Sequence, residues 1–276
     1  MPDRMNRIIP LLLWSFLLLL PCATTAAESR WVTSNGRAEA SSVTAAEAVQ
    51  MALAEARRKA VEEVAGVRLS SATIVQDFTV LSDVINSASY GQIVAEEVEQ
   101  WDAQVLQEDK TVPPVIIYKV RIRACVAMPE GSPDSTFKLE AKLNKHVFTS
   151  GEEMFVEARA SRTCFITLIN LTADSRAVVL VPSSVRQENR LAQGNTFRFP
   201  ERSDEVAGVH LKVGTLPGHT KDREAILVVA TKASQPLPPQ IEEAGSYAPE
   251  AIGRWLVDIP LSERTIKVLP YQVVSK

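Results

Sequence analysis

Histidine is scarce in this 276-residue sequence: His146, His210 and His219 are the whole complement. None has a second histidine, a cysteine or a spaced acidic residue at the interval that metal ligation needs, so the pattern offers no metal site. Gly-x-Ser-x-Gly is missing and no glycine-rich loop could cradle a phosphate, which removes the best-marked hydrolase and nucleotide-binding signatures. Aromatic residues make up 6%, too few to suggest a sugar-stacking platform, although Trp101 and Trp255 could contribute to one. There is no surplus of positive charge: the formal net charge is −3, which argues against a nucleic-acid partner. Long apolar runs are also absent but for one, from Ile8 to Pro21, and that is interrupted by Pro10. It falls short of the roughly 20 residues of a membrane-spanning helix.

That run lies behind Arg4 and Arg7 and ahead of the small residues "CATTAA", the arrangement of a secretory signal peptide. Residues 1–27 are expected to be removed, with Thr25 three positions before the cut, and cleavage after Ala26 is a close alternative. Cys22 raises a lipoprotein reading, but Leu20 and Pro21 before it make a poor lipobox. Removal of 27 residues from 276 leaves 249, enough for two domains. The leader holds Arg4, Arg7 and Asp3, a net of plus one, so its loss takes the formal charge from −3 to −4. The mature protein is therefore expected in the periplasm, with no membrane span.

Two cysteines would remain, Cys125 and Cys164. Export permits a disulfide between them. Both lie in apolar strand-like runs, "RACVAM" and "RTCFITLIN", on opposite sides of an expected domain boundary, and buried free thiols are the preferred reading.

Along the chain, "RWVTSNGRAEA" reads as a strand broken by Gly36. Thr44 and Glu47 have capping-box spacing, so a helix is expected to start there, and Gly66 suits the left-handed residue that closes one. Ala46, Val49, Leu53, Ala56, Ala60 and Val64 recur at three- and four-residue steps. Such a small-residue stripe predicts a helix lying close to a sheet. "QIVAEEVEQWDAQVLQ" and "VIIYKVRIRACVAM" flank the polar "EDKTVPP" and predict a long hairpin. Ile116, Tyr118, Val120, Ile122, Ala124 and Val126 share its core face; Lys119, Arg121 and Arg123 share the other. Those three bases form either an anion-binding strip or, as favoured here, partners for Glu96, Glu97 and Glu99 across the ladder.

"MPEGSPDS" reads as a linker. After it, "TFKLEAKLN", "EEMFVEARA", "TCFITLINL", "AVVLVP" and "EAILVVATK" read as short strands of a β-sandwich. "APEAIGRWLVDIP" predicts a short helix, and "TIKVLPYQVV" a closing strand that Pro270 would confine to an edge or a bulge. The expected organisation is a signal peptide at 1–27, an α/β module at 28–128, a linker at 129–135 and a β-sandwich-like domain at 136–276. The fold class is α+β, with the N-terminal helix packed on a small antiparallel sheet.

On "GRAEA", "RRKAVEEVAGVRLSSATIV", "SDVINSASYGQIV" and "YKVRIRACV", in that order, the first module resembles the N-terminal domain of flagellar assembly protein T. The resemblance implies a helix on a small antiparallel sheet. The further domains of that family are not evident, so its flagellar role does not follow from the one module. The second region is similar to domain of unknown function 4384 on "NKHVFTSGEEMFVEARASRTCFITLINLTADSRAVVLVPS", "ENRLAQGNTFRFP" and "REAILVVATKASQP". That likeness implies a β-sandwich-like accessory domain without established chemistry. The sequence departs from the family where Val181 and Ser183 flank Pro182, in place of an aromatic residue followed by Pro-Asn.

No catalytic, cofactor or metal residues are expected. A cysteine nucleophile would pair Cys164 with His146 or His210 in space, but the apolar neighbours of Cys164 argue against it. Glu152 with Glu153 and Glu242 with Glu243 read as solvated pairs. The expected function is a noncatalytic envelope protein that binds or assembles with an envelope protein partner, for a flagellar or secretion-associated complex. The alternatives are a periplasmic hydrolase and a small-ligand or glycan binder whose site gathers distant residues.

Overall fold

Small residues determine how the first elements meet. In the computed structural model, which describes residues 28–41, 43–66, 91–107, 114–238 and 246–276, β1 (Ser29–Glu39), β2 (Gln92–Leu106) and β3 (Val115–Ala127) form an antiparallel sheet in the order β1-β3-β2. The leader at 1–27, most of the connecting segment "EDKTVPP" and most of "SDVINSASYGQIV" lie outside the described residues. Helix α1 (Ala45–Ala65) starts at a complete capping box: the Glu47 N–H donates to Thr44 Oγ1 at 3.3 Å and the Thr44 N–H to Glu47 Oε2 at 2.7 Å. It closes on Gly66 at φ 68°.

Gly36 does not break β1, which runs straight through it. A Cβ there would lie 1.8 Å from the Ala52 carbonyl oxygen and 2.6 Å from the Ala56 nitrogen, so glycine is required by the approach of the helix backbone. Ser34 Oγ donates to the Ala56 carbonyl at 2.7 Å, bonding strand to helix in a buried setting. The buried stripe is Ala48, Ala52, Ala56, Ala60, Val61 and Val64. Ala46 is exposed and Val49 and Leu53 only half-buried, unlike the expected stripe. The contact at Gly36 selects Ala52 and Ala56, and steps of four precess by about 40° each, as a twisted sheet demands.

The expected ladder of acids against bases forms at one place. Bulges between Ile93 and Ala95 and between Val98 and Gln100 shift the register, leaving Glu97 opposite Arg123 at 3.6 Å. Glu96 turns instead to Arg57 of α1 at 2.7 Å, Arg121 bonds Asn35 and Lys119 bonds Gln104.

The remainder of the chain is dominated by strands. β4 (Leu139–Leu143), β6 (Val156–Ala160) and β10 (Phe197–Phe199) form one sheet, in the order β10-β6-β4. The larger sheet runs β12-β8-β7-β11-β13-β5. Its strands are β5 (Val147–Thr149), β7 (Cys164–Leu171), β8 (Ala177–Val181), β11 (Lys221–Thr231), β12 (Ser246–Tyr247) and β13 (Arg264–Val274), with β9 (Arg190–Leu191) paired to β7. Ile226, Val228 and Ala230 of β11 point into a core shared with Val156, Ala158, Phe197 and Phe199 of the smaller sheet. The alternate residues Leu227 and Val229 face a second apolar layer, built on Ile252, Trp255 and Leu256 of α3 (Pro249–Val257). A short helix α2 (Arg202–Val206) follows β10. β13 lies between β11, which covers its full length, and the short β5, so only the part of it beyond β5, Pro270 included, has an edge's free side. Pro270 is accommodated because β5 pairs only with Gln272–Val274, leaving the other side of β13 open at the proline.

Segment 129–135 is bonded to the C-terminal part: the Leu261 N–H donates to the Glu130 carbonyl at 2.8 Å, and Asp134 meets Lys232 at 2.9 Å. Gln92 Nε2 at the start of β2 donates to the Glu250 carbonyl at 2.6 Å, where Gly253 leaves room for the amide. Among the described residues, no helix is long and apolar enough to cross a membrane.

A polar cluster sits at one end of the inter-sheet core. Glu224 accepts from the Tyr271 hydroxyl, from Asn170 Nδ2 at 3.0 Å and from the Ala173 N–H at 3.4 Å. Burial, reinforced by the Glu224 charge, pushes the Tyr271 phenol well above its usual value of 10.0. The folded state therefore holds that proton more tightly than the unfolded chain does. The stabilising difference is complete below pH 10 and fades as the pH rises above it.

Gly36→Ala should destabilise by about 3 kcal/mol or more and Ala56→Leu by about 1–3 kcal/mol, through overpacking, whereas Arg57→Ala should stay within about 1 kcal/mol; urea denaturation measures all three. Tyr271→Phe should cost about 1–3 kcal/mol by removing a donor from a buried carboxylate. In an alkaline titration followed by phenolate absorbance, Tyr271 should ionise only on unfolding.

Candidate functional site

The described pocket lies where the loop after α2 crosses the start of β6. Asn144, just past β4, clamps this corner: its Oδ1 accepts from the Phe155 N–H at 2.9 Å and its Nδ2 donates to the Glu153 carbonyl at 3.1 Å. The Met154 N–H donates to the Leu211 carbonyl at 2.8 Å, and Glu153 bridges Lys212, which brings His210 alongside. The resulting pocket has a volume of about 210 Å³. Its apolar surface includes Met154, Phe155 and Leu211, its charged groups are Glu153, Arg198 and Glu205, and His210 adds an imidazole.

Those charges are ordered. The Arg198 guanidinium lies 3.9 Å from the centre of the Phe155 ring, donates from Nε to the Pro200 carbonyl at 3.2 Å and stands 3.7 Å from Glu205. His210 Nδ1 is 3.1 Å from Glu153 Oε1. The carboxylate orients the imidazole, leaving a group able to exchange a proton at its other nitrogen. No serine, threonine or cysteine lines the pocket to serve as a nucleophile. The arrangement suits a small polar ligand carrying both charges, and the volume falls below the roughly 300 Å³ at which drug-sized sites begin.

The residues singled out in the sequence fall elsewhere or take other roles. Cys164 and Cys125 are buried free thiols. Burial pushes the Cys164 thiol up to about 11, and no histidine reaches it among the described residues. His146 is exposed and contributes its backbone carbonyl to Gln272. His219 meets Asp222 at 2.6 Å, and Asp222 also accepts from the Leu216 N–H, which secures a turn. Glu152 is engaged by Lys145 and by the Thr149 N–H, while Glu153 belongs to the pocket. Glu242 and Glu243 lie outside the described residues. Trp255 is a core residue, its indole N–H donating to the Pro236 carbonyl at 2.9 Å. No group of three metal-ligating side chains occurs among the described residues. The pairing of His210 with Glu153 escaped sequence reasoning because 57 positions separate them and nothing local marks the contact.

A second surface lies on the N-terminal sheet. The register puts Val98, Trp101 and Val105 of β2 on the same face as Ile116, Val120 and Ile122, the face toward α1. The helix covers β1 and β3 there but leaves the far half of β2 bare. Val105 is 68% exposed, Trp101 44% and Val98 43%. Alternating apolar residues in "VEQWDAQV" are the sequence signal for this row, but the pattern looks the same for a buried strand.

Residues 147–233 match the family described as "Domain of unknown function (DUF4384)", so this part of the chain, from β5 to the end of β11, is similar to that family. Most of the pocket lies within the matched residues, and the exposed row on β2 lies outside them. No curated protein matches the chain.

Proposed function

We propose that the protein is an exported component of the bacterial envelope, periplasmic once residues 1–27 are removed, which works without catalysis as a binding or assembly module. The observation that carries this reading is the bare apolar row Val98, Trp101, Val105 and Ile116. Contiguous exposed apolar residues mark contact sites for proteins or membranes, and these four lie side by side on one face. The basic and apolar leader supports export, and the likeness of residues 147–233, part of the chain, to a family described as a domain supports a modular build. In this reading residues 28–128 form a helix-on-sheet module like the N-terminal domain of flagellar assembly protein T. The segment 129–135 joins it to a sandwich-like domain at 136–276, and the partner is an envelope protein of a flagellar or secretion-associated complex.

A second reading, a binder of a small polar ligand, is favoured by the ordered Arg198–Phe155 and His210–Glu153 pairs. Under it Arg198→Ala would abolish the thermal shift given by amino acids or short glycans, and Trp101→Lys would leave that shift intact.

For the assembly reading, the exported form should begin near Glu28 on N-terminal sequencing and should be released by osmotic shock. Retention of residues 8–21 in the inner membrane, or a lipid on Cys22, would defeat it. Trp101→Lys should leave the melting temperature within a few degrees of the parent. It should lose in-cell cross-linking to the envelope partner by the equivalent of about 2 kcal/mol, the cost of truncating a central aromatic anchor. Unchanged cross-linking would remove the apolar row from the interface.

A further inference from the structure

The two open sides of the N-terminal sheet differ. At β1 the outer side is occupied by α1. Glu55 accepts from the Arg37 N–H at 2.6 Å, Lys59 donates to the Asn35 carbonyl at 3.1 Å, and the two side chains pair with each other at 3.0 Å. Backbone groups that an added strand would need are already taken. At β2 the first half is closed as well. Its two bulges interrupt the ladder, Arg254 of α3 reaches the Val94 carbonyl at 3.4 Å, and Gln92 is held at Glu250. From Gln100 to Leu106 the pairing with β3 is regular, and no described residue bonds the outer backbone of this stretch.

Resting on the assembly-module reading, we propose that Gln100–Leu106 takes up an extended basic segment of a partner protein as a fourth strand of the sheet. An exposed, unbulged edge presents a row of unpaired N–H and C=O groups, the template for strand addition. Trp101, Ala103 and Val105 give one face of the added strand an apolar neighbour, in line with Ile116. The charge of β2 sets the partner's sign: Glu96 and Glu97 are engaged by Arg57 and Arg123, which leaves Glu99 and Asp102 beside the open stretch, and β2 carries no lysine or arginine. The bases of β3 lie one strand farther away, each already engaged by Gln104, Asn35 or Glu97. A second copy is a poorer occupant, since β2 against β2 brings Glu99 and Asp102 toward their own counterparts and the β1 edge is blocked by Glu55 and Lys59. The fitting segment alternates apolar residues with lysine or arginine.

The probe is a synthetic peptide of alternating valine and lysine, beside a version with glutamate for lysine and one interrupted by proline, each added to the full mature chain. Amide hydrogen exchange should slow across Gln100–Leu106 with the lysine peptide alone. Glu99→Lys combined with Asp102→Lys should weaken that binding about tenfold, since each reversed cross-strand charge pair is worth up to about 1 kcal/mol. Added salt should weaken it too. The proposal is overturned if the lysine peptide leaves exchange unchanged, if the glutamate or proline version protects equally, or if sedimentation shows a dimer that already protects this strand. A chain that still cross-links to its envelope partner through Trp101 while ignoring the lysine peptide would sink the added strand and leave the assembly reading standing.

Discussion

Everything about the N-terminal part depends on how closely one helix can approach one strand. With Gly36 beneath the Ala52 carbonyl and Ser34 bonded to the Ala56 carbonyl, α1 rests on the β1 backbone rather than on side chains. That contact brings Glu55 and Lys59 over the rim of β1, where they bond its outer backbone groups. It also draws the helix to one side of a three-stranded sheet, leaving the apolar face of β2 without cover. The blocked edge and the open edge are two results of one close approach.

The C-terminal part follows a different rule. β11 is buried on both faces, one toward the smaller sheet and one toward α3, so its even and odd residues serve two cores. Near its start, where the layers open toward solvent, the inward positions become Asp222 and Glu224, each held by hydrogen bonds. Polar groups lie where donors from β7, β13 and the 216–219 turn converge, and apolar ones where none do. The pocket at Arg198 and His210 is built on loops that this rigid frame positions, the usual division between scaffold and binding surface.

Local signals were legible. Thr44, Glu47 and Gly66 mark both ends of α1, and Ala56 and Ala60 mark its buried side, because caps and periodicity act within a few residues. Gly36 was misread as a break, since what it accommodates lies sixteen to twenty positions ahead. The bulges at Val94 and Glu99 leave no trace in composition, yet they decide which acids meet Arg123. The Asn170, Glu224 and Tyr271 cluster joins three strands, and no spacing within the chain foretells it. The match at 147–233 covers a region whose strands had been read from β-branched runs, where the signal is strongest.

Under the export proposed above, the buried thiols carry a consequence for the life of the protein in an oxidising compartment. Oxidation proceeds through the thiolate, and burial pushes the Cys164 thiol up to about 11, well away from ionisation at neutral pH, in a residue with no exposed surface. Folding thus acts as the protecting group for this cysteine. A chain that buries it promptly stays reduced, and one that lingers unfolded in an oxidising compartment acquires bridges incompatible with the core. The redox state of Cys164 is in effect a written record of whether a given molecule folded on time.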